Sequence, residues 1–510
     1  MSKAKKKQKQ MERAKRMSDS LLSGHSVITL PGEKRPSLPN RKNASETPEE
    51  QMAERQDLTE KTGKIWRFLL PGIITRFEEL EDPRDVRKVK HTLSTVLVYA
   101  LLLFMFKIGS RRATNKDLTR PIVVKNIQGI LPELKSVPHC DTVNRVLKMM
   151  GEGVYKIQEC GVSMLKQALK NKNFKAQMHK GKYLVLVDGS QKYTRDYKWA
   201  EQALMRHVGA DKTEQYYVYV LEVLILLENG AVLPLWTEVL DNSDWKPGET
   251  KQDCEIKAFK RAAKQIEKVF SKGEVCLIAD GLYATQPVLK ICHKNKWDYI
   301  ITVKEGGGMR DAWENMDGLL RQNMTNSIVV HKGKRTLLHR WENGLEYGSL
   351  RCPNKANILV CDEEWVEENP RSGGIPEIKN TRYVWVYNHE IMDDNVLDIA
   401  ETGRKRQRIE STFHVEKHDG YEFSHCYSYD WYAAIGFHFL MKLAHLFNEL
   451  IERSEIVSDV VVEKGPSGFI DALWDALSGA ILNLEQLKNS VNKKFRWFMV
   501  ERDIFKVVVT

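Results

Sequence analysis

The first 60 residues of the chain contain few hydrophobic positions. They are rich in Lys, Glu, Ser, Pro and Gln, a composition that cannot bury enough apolar surface to offset the entropy of ordering a chain. The pattern predicts a largely disordered arm over residues 1–60, with ordered structure beginning near Ile65.

The next region, residues 61–178, has the spacing of helices. An almost unbroken apolar run covers 96–106, which is shorter than the roughly 20 residues a membrane span needs and therefore predicts a buried helix. Asp141 precedes apolar residues at helical spacing, beginning with Val143, and is expected to cap another helix. We assign 61–178 to a helical domain.

Residues 179–310 change to runs typical of strands. Apolar and β-branched runs predict strands, a hairpin is expected where Gly230 separates two of them, and amphipathic spacing predicts the intervening helices. The predicted strands are 183–187, 216–227, 231–239, 275–279 and 299–303, and the predicted helices are 251–269 and 287–293.

The rest of the chain divides into three segments. Residues 311–394 hold short β-type runs joined by polar, Gly-rich and Pro-rich connections, which predicts a β-rich insertion. Residues 395–455 have helical spacing, with a strongly apolar helix over 431–451, and 456–510 are assigned to a C-terminal helical region. The chain as a whole is predicted to be an α/β protein.

Charge and cysteine content change this picture only slightly. The formal net charge is +11, but residues 1–16 hold eight Lys or Arg and one Glu, so that +4 remains for the other residues. Charge therefore supports a polyanionic partner weakly, and a basic flexible tail explains most of it. Eight cysteines without paired short spacings, and no apolar signal segment, predict free thiols in a reducing cytoplasm.

Two predicted strands end in Asp-Gly. The run 183–187 leads into Asp188, and the run 275–279 leads into Asp280. If these strands are parallel neighbours, both carboxylates lie at one edge of the sheet, where ligands bind in open α/β sheets. Because adjacent carboxylates repel each other unless they share a cation, we predict a divalent metal site there.

A helix supplies the third predicted metal ligand. Arg406, Glu410, His414 and Lys417 follow one another at steps of four, four and three, and so share one helical face. Glu410 is the predicted ligand, whereas His414 is interpreted as a group that packs on the helix or supports a metal ligand. Each signal has an ordinary alternative when taken alone, since Asp-Gly is a common turn and charged helical faces are commonly solvated.

Other acidic residues compete for the same role. Asp253 and Glu255 form an acidic pair at the start of a predicted helix, where stabilisation by the helix dipole is the simpler interpretation. Glu238 is interpreted in the same way.

Taken together, these motifs resemble DDE transposases of bacterial insertion sequences, in the branch whose ribonuclease-H-like core is interrupted by a β-strand insertion. The resemblance runs from Asp82-Pro83-Arg84 through Ser110-Arg111, Asp141-Thr142, Asp188-Gly189-Ser190 and Asp280-Gly281-Leu282-Tyr283 to Arg406, Glu410 and Lys417. The branch carries a Tyr three residues before its Arg. This chain has Gly403 at that position.

The resemblance implies a mixed-sheet ribonuclease-H-like core, the β-rich insertion and the N-terminal helical domain as a DNA-binding domain. It also implies an endonuclease and strand-transfer chemistry in which Asp188, Asp280 and Glu410 bind two Mg²⁺ or Mn²⁺ ions. Arg406 and Lys417 would contact DNA phosphates. In relatives a Trp of the insertion stacks a flipped base, so that Trp341, Trp365 and Trp385 are candidates, although each taken alone is better explained as a core residue.

The implied partners are double-stranded DNA with terminal inverted repeats, target DNA and a second copy of the chain in a homodimer. The implied location is the cytoplasm, at the nucleoid, without a membrane. Two alternatives remain at this stage. One is a ribonuclease-H-like nuclease or resolvase that does not join strands, and the other is a transposase-derived DNA-binding protein without catalysis.

Overall fold

A computed structural model describes most of the chain, and the first 25 residues of the predicted arm lie outside the described part. The described residues are 26–31, 38, 45–170, 175–243, 252–304, 307–349, 352–368, 376–479, 482–495, 497, 499 and 500. Within these ranges, none of the helices combines the length and apolarity that crossing a bilayer requires.

Helices dominate the N-terminal part of the fold. They are α1 (Pro48–Glu78), α2 (Leu93–Met105), α3 (Arg111–Asp117), α4 (Pro121–Ile130), α5 (Cys140–Met150) and α6 (Tyr155–Leu169). Every residue of α2 is buried, which confirms the prediction of a buried helix.

The first helix begins earlier than the sequence pattern predicts. The hydroxyl of Thr47 accepts a hydrogen bond from the Glu50 amide at 3.2 Å, and the Glu50 carboxylate accepts one from the Thr47 amide at 3.3 Å. This reciprocal capping box starts α1 at Pro48. The prediction of disorder is therefore wrong for residues 48–60, and the expected start near Ile65 is wrong too. The prediction of disorder is also wrong for Val27–Leu30, which form a strand paired with Val329–Lys332.

The cap of α5 also differs from the prediction. His139 occupies the capping position, and its Nδ1 accepts a hydrogen bond from the Asp141 amide at 3.2 Å. Asp141 instead lies inside the first turn and forms an ion pair with Arg111 at 3.4 Å.

One mixed sheet of 12 strands forms the centre of the molecule. Its strands are β1 (Val27–Leu30), β2 (Met178–His179), β3 (Lys182–Arg195), β4 (Leu204–Val208), β5 (Thr213–Leu226), β6 (Val232–Val239), β7 (Val275–Ala279), β8 (Asp298–Thr302), β9 (Asn326–Lys332), β10 (Arg335–Ser349), β11 (Cys352–Glu368) and β12 (Pro376–Tyr387). Their order is β1-β9-β10-β11-β12-β8-β7-β3-β5-β4, with β2 beside β3 and β6 beside β5. The predicted hairpin is confirmed as β5 and β6, whereas β4 was not predicted.

Two helices connect the parallel strands of the core. They are α7 (Glu255–Val269), between β6 and β7, and α8 (Gln286–Asn295), between β7 and β8. The buried residues of α7 recur at helical spacing, as its amphipathic sequence predicts.

The predicted insertion is an extension of this same sheet. It opens with a helix that was not predicted, α9 (Arg310–Gln322), and continues as the antiparallel strands β9 to β12. These strands are longer than the short runs in the sequence suggest. β12 pairs antiparallel with β8, so that the inserted strands continue the core sheet without a break.

Of the C-terminal helices that the structure describes, the first three pack against the sheet and the last two pack on α1 and α4. The C-terminal helices are α10 (Val396–Arg404), α11 (Gln407–His418), α12 (Trp431–Glu452), α13 (Ser458–Gly479) and α14 (Leu484–Val491). α12 packs on α2, α5, α6 and β6 in the larger hydrophobic cluster. α11 bridges the two clusters, because Ile409 and Phe413 belong to the smaller one and Val415 packs against the larger.

Candidate active site

The two predicted aspartates follow equivalent positions on neighbouring strands. β3 and β7 pair in parallel, and Val187 lies opposite Ala279 in the last pair. Asp188 and Asp280 are the residues that directly follow this pair in the sequence. Neighbouring strands lie about 4.8 Å apart, which places the two carboxylates side by side. The predicted parallel pairing is thereby confirmed.

Asp188 is not at the end of its strand, contrary to the sequence-based expectation. β3 continues to Arg195 because β5 keeps pairing with it, with Glu222 opposite Asp188. Only the pairing with β7 ends beside Asp188, since β7 stops at Ala279. The edge that exposes Asp188 is therefore made by the shorter neighbour.

The surroundings of Asp188 disfavour its charge. Burial raises the pKa of its carboxyl to about 6, and the charges of Asp280 and Glu255 act in the same direction. The Gly189 amide, which donates to Asp188 Oδ1 at 2.9 Å, and the Arg406 guanidinium oppose this shift. A cation bound beside Asp188 would therefore stabilise the ionised form of this carboxylate.

Asp280 sits in a tight turn beside a lysine. Its Oδ1 accepts a hydrogen bond from the Leu282 amide at 2.8 Å, and its Oδ2 accepts one from Lys304 Nζ at 2.5 Å. The Lys304 side chain is 65% exposed, so that this cation is free to exchange with solvent.

An arginine links Glu410 to Asp188. Arg406 Nη1 lies 3.5 Å from Asp188 Oδ2, and Arg406 Nη2 donates to Glu410 Oε1. The expected single helix is divided into α10 and α11, and Arg406 is the residue that precedes α11. The four-residue step from Arg406 to Glu410 nevertheless brings the two side chains together, as predicted.

The three predicted metal ligands are thus a neighbouring pair and a third carboxylate that Arg406 joins to Asp188. Among the described residues, no three acidic, His or Cys side chains are grouped closely enough to hold a metal ion. The donor chemistry still fits a hard divalent cation, because Asp188, Asp280 and Glu410 offer only carboxylate oxygens. Their role as ligands stays a prediction.

Lys417 and His414 lie further along α11. Lys417 Nζ is 5.7 Å from the centre of the Phe413 ring and 5.4 Å from that of Phe423, and burial lowers its pKa. Lys417 is therefore less exposed than a purely solvated helical face would make it. The His414 ring packs against His418 at 4.7 Å between ring centres.

The known family that matches this chain covers this whole arrangement. The family described as "Transposase DDE domain" matches residues 179–447, a range that begins just before β3 and ends within α12. The chain belongs to this family. It is a DDE transposase, and its mixed sheet with flanking helices is consistent with the ribonuclease-H-like fold that the sequence predicted. No curated protein matches the chain.

The candidate site contains a further carboxylate that sequence reasoning assigned to the helix dipole. Glu255 accepts hydrogen bonds from the hydroxyls of Tyr219 and Tyr283, each at 2.8 Å. A Cβ atom at Gly189 would lie 2.6 Å from Glu255 Oε2, so that this carboxylate rests on the backbone next to Asp188. Its position at the start of a helix gave no signal of this contact, because Tyr219 and Tyr283 are distant in sequence.

The other acidic candidates are bound elsewhere. Asp253 Oδ2 accepts from Arg261 Nη2 at 2.7 Å, and Glu238 Oε1 accepts from Arg261 Nε at 2.5 Å. Arg261 thus joins the start of α7 to the end of β6. We interpret Asp253 and Glu238 as structural residues.

Gly403, where the branch carries Tyr, faces a tryptophan of the insertion. A Cβ atom at this position would lie 2.5 Å from Trp385 Nε1 and 2.7 Å from Trp385 Cε2. Trp385 is 1% exposed and its ring stacks on Tyr383 with centres 5.6 Å apart. The indole therefore fills the space that a side chain at 403 needs.

The tryptophans proposed for base stacking differ in accessibility. Trp385 and Trp341 are buried core residues. Trp365 is partly exposed on β11, with the Arg335 guanidinium 4.7 Å from its ring centre. Of the three candidates, only Trp365 has a ring that reaches the surface.

Proposed function

We propose that this transposase cuts DNA at the ends of a mobile element and joins the freed 3′ ends to target DNA. The observation that supports this proposal is that Asp188 and Asp280 directly follow the last pair of parallel β3 and β7, and that Arg406 contacts both Asp188 and Glu410. Cleavage is phosphodiester hydrolysis, and joining is transesterification by the 3′ hydroxyl.

Asp188, Asp280 and Glu410 are the residues that would hold two Mg²⁺ or Mn²⁺ ions. When bound, such ions lower the pKa of a water nucleophile and neutralise charge on the leaving oxygen. The protein contributes the fixed spacing of two carboxylates on one sheet, and burial makes the Asp188 charge costly unless a cation is near.

Arg406 and Lys304 are the cations that pair with these carboxylates in the structure. Arg406 has a planar fork of donors that suits a DNA phosphate as well as a carboxylate. We propose that Arg406 contacts a phosphate near the cleaved bond, and that Lys417 adds positive charge behind it.

The helical region 61–178 is proposed to bind the terminal inverted repeats. A cleft of about 720 Å³ opens between this region and the segment after α11, and its lining residues are mainly cationic or polar. They include Arg111, Arg112, Lys116, His139 and His425. Positive side chains along a cleft attract the phosphates of duplex DNA. The active complex is proposed to be a homodimer acting in the cytoplasm at the nucleoid.

The test is nicking of a duplex that carries the DNA flanking the gene. Asp188→Ala, Asp280→Ala and Glu410→Ala should each abolish nicking in Mg²⁺ while leaving gel-shift binding of the same duplex largely intact. Asp471→Ala, which removes an exposed carboxylate on α13, is the matched control and should nick normally.

Each failure has a distinct meaning. Substantial nicking by Asp280→Ala would overturn the ligand assignment. Nicking without joining of the 3′ ends to a target plasmid would identify a nuclease or resolvase, and binding without nicking by the native protein would identify a DNA-binding protein.

A further inference from the structure

A chain of buried ionisable groups lies directly beneath the candidate active site. Lys442 on α12 is within 3.3 Å of Glu222 Oε2 and donates to Glu416 Oε1 at 2.6 Å. Glu222 is the strand partner of Asp188, and Glu416 lies on α11, the helix that carries Glu410. One lysine therefore connects the strand pair that holds Asp188 to the helix that holds Glu410.

Two histidines on the same face of α12 complete the connection. His438, His445 and Lys442 are spaced at four and three residues, which places them on one helical face. His438 Nε2 is 3.1 Å from Glu222 Oε1, and His445 Nδ1 is 2.7 Å from Glu416 Oε1. Since ionised carboxylates only accept hydrogen bonds, both histidine nitrogens donate.

Lys192, which lies four residues beyond Asp188 on β3, contacts the same group of side chains. Its Nζ donates to the Phe423 carbonyl at 2.7 Å and to His438 Nδ1 at 3.0 Å. Because His438 Nδ1 accepts this bond, its proton is on Nε2, in agreement with the donation to Glu222. Phe423 also donates its amide to the Glu416 carbonyl at 3.0 Å, which ties the end of α11 into the same cluster.

All of these side chains are withdrawn from water. Glu222 and Glu416 are fully buried, and Lys442 is 4% exposed. Burial by itself lowers the pKa of Lys442, but the two carboxylates beside it more than offset this and raise the pKa above its usual value. Burial likewise opposes the charge of Glu416, and Lys442 and His445 hold its pKa low. The lysine is therefore charged and shared between the two glutamates.

Stability alone is a weak reason for such an arrangement. Replacing a buried ion pair by apolar groups of similar volume is often neutral or stabilising, whereas the directed bonds of an ion pair fix one relative placement of the elements they join. Glu416 Oε2 accepts no hydrogen bond within the described part of the chain, so the cluster is not a fully satisfied network. Its directed contacts join α11 to β5 through Lys442, and to β3 through Phe423 and Lys192.

We propose that Lys442, with Glu222 and Glu416, is a positioning cluster that sets the distance between Glu410 and Asp188. This inference rests on the proposed function, since it assigns the cluster to the geometry of the carboxylates that would act on DNA. It adds residues outside the three carboxylates and Arg406 to the determinants of cleavage. None of the cluster touches the reacting atoms.

The test is a neutral triple variant, Glu222→Gln, Lys442→Met and Glu416→Gln. It removes the charges of Glu222, Glu416 and Lys442 at nearly constant volume, while Lys192 keeps its hydrogen bonds to the Phe423 carbonyl and His438 Nδ1. Hydrogen exchange measured by mass spectrometry reports the mobility of α11, and single-turnover nicking at saturating DNA reports its placement. We expect exchange in 407–418 to rise and nicking to fall, each by about tenfold or more, with the Kd for DNA unchanged.

Asp298→Asn is the matched control. Asp298 is a buried carboxylate that accepts from Lys182 and His389 at 2.7 and 2.6 Å, and Lys182 is the first residue of β3, before Asp188. This variant should lower the unfolding temperature without changing exchange in α11 or nicking. If the triple variant does not fold, Glu416→Gln alone retains an acceptor for Lys442 and should show the same two effects at smaller size.

A folded triple variant with native exchange in α11 and native nicking would overturn the proposal. An equal loss of nicking in Asp298→Asn would also overturn it, because the effect would then follow general stability. If the native protein cuts no DNA, the proposed function fails, and exchange in α11 still decides whether the cluster holds this helix.

Discussion

Replacing Gly403 with alanine is the most direct test of how the insertion packs against α10. The added Cβ would lie 2.5, 2.7 and 2.8 Å from Nε1, Cε2 and Cδ1 of Trp385. Separations of this size are well inside van der Waals contact. The ring has little room to retreat, because it is 1% exposed and stacked on Tyr383, which in turn lies under the Arg404 guanidinium at 4.3 Å.

The expected cost follows from two opposing effects. Overpacking a core by one carbon typically costs about 1–3 kcal/mol, and the rigid indole favours the upper part of that range. Gly403 lies inside α10, where alanine gains about 0.5–1 kcal/mol over glycine. The net destabilisation is therefore about 1–2 kcal/mol, which is a factor of about 5–30 in a local opening equilibrium.

Hydrogen exchange of α10 peptides measures this opening directly. The matched control is Gly318→Ala in α9, where a Cβ meets no atom within 4 Å and should slow exchange slightly. Trp385→Leu should reduce the cost of Gly403→Ala in a double-mutant cycle. If Gly403→Ala instead stabilises α10 as Gly318→Ala does in α9, the indole of Trp385 does not fill the space beside Gly403.

Three further outcomes are expected. Arg406→Ala should weaken the complex with terminal DNA by about 1.5–3 kcal/mol, which is the scale of a hydrogen bond to a charged group. Metal binding measured by calorimetry should not change. A loss of metal affinity without a loss of DNA affinity would refute the assignment of Arg406 to a DNA phosphate. Residues 1–25 include most of the arm's positive charge, and their removal should lower DNA affinity and make it less dependent on salt. The preference for terminal over random DNA should remain. Loss of that preference would show that the arm recognises the terminal sequence. Burial and the charge of Arg404 lower the pKa of His339 to about 4, so the unfolded chain binds a proton between pH 4 and 6.5 that the folded chain does not. Stability should therefore fall as the pH drops through that window, and His339→Phe should narrow the gap in unfolding temperature between pH 7 and 5; an unchanged gap would show that other groups cause it.

Much of the catalytic core follows from local pattern in the sequence. The apolar runs before Asp188 and Asp280 marked two strands of the central sheet, and the step of four from Arg406 marked Glu410. Both inferences depend on short-range spacing, which is a property of one strand or one helix. The start of α1 had a local signal too, since Thr47 and Glu50 form a capping-box pattern, and the polar composition around it obscured that signal.

The features that sequence reasoning missed depend on distant contacts. β3 continues beyond Asp188 because β5 pairs with it, and no residue within β3 predicts that pairing. Lys442 lies among apolar residues of α12, so the sequence predicts only a core helix there. The two ion-pair partners of Lys442 come from β5 and α11. Charged residues within an apolar helical pattern acquire meaning only when the fold shows what faces them.

The pairing of β12 with β8 limits how this protein can be shortened. Val386 lies opposite Ile301, and Tyr387 lies opposite Ile300, so the insertion supplies the hydrogen-bond partners for one side of the core. A fragment lacking residues 311–394 would present β8 as a bare hydrophobic edge, which is a template for strand addition by other molecules. Such a fragment would aggregate, and a minimal catalytic unit of this transposase must retain at least β12.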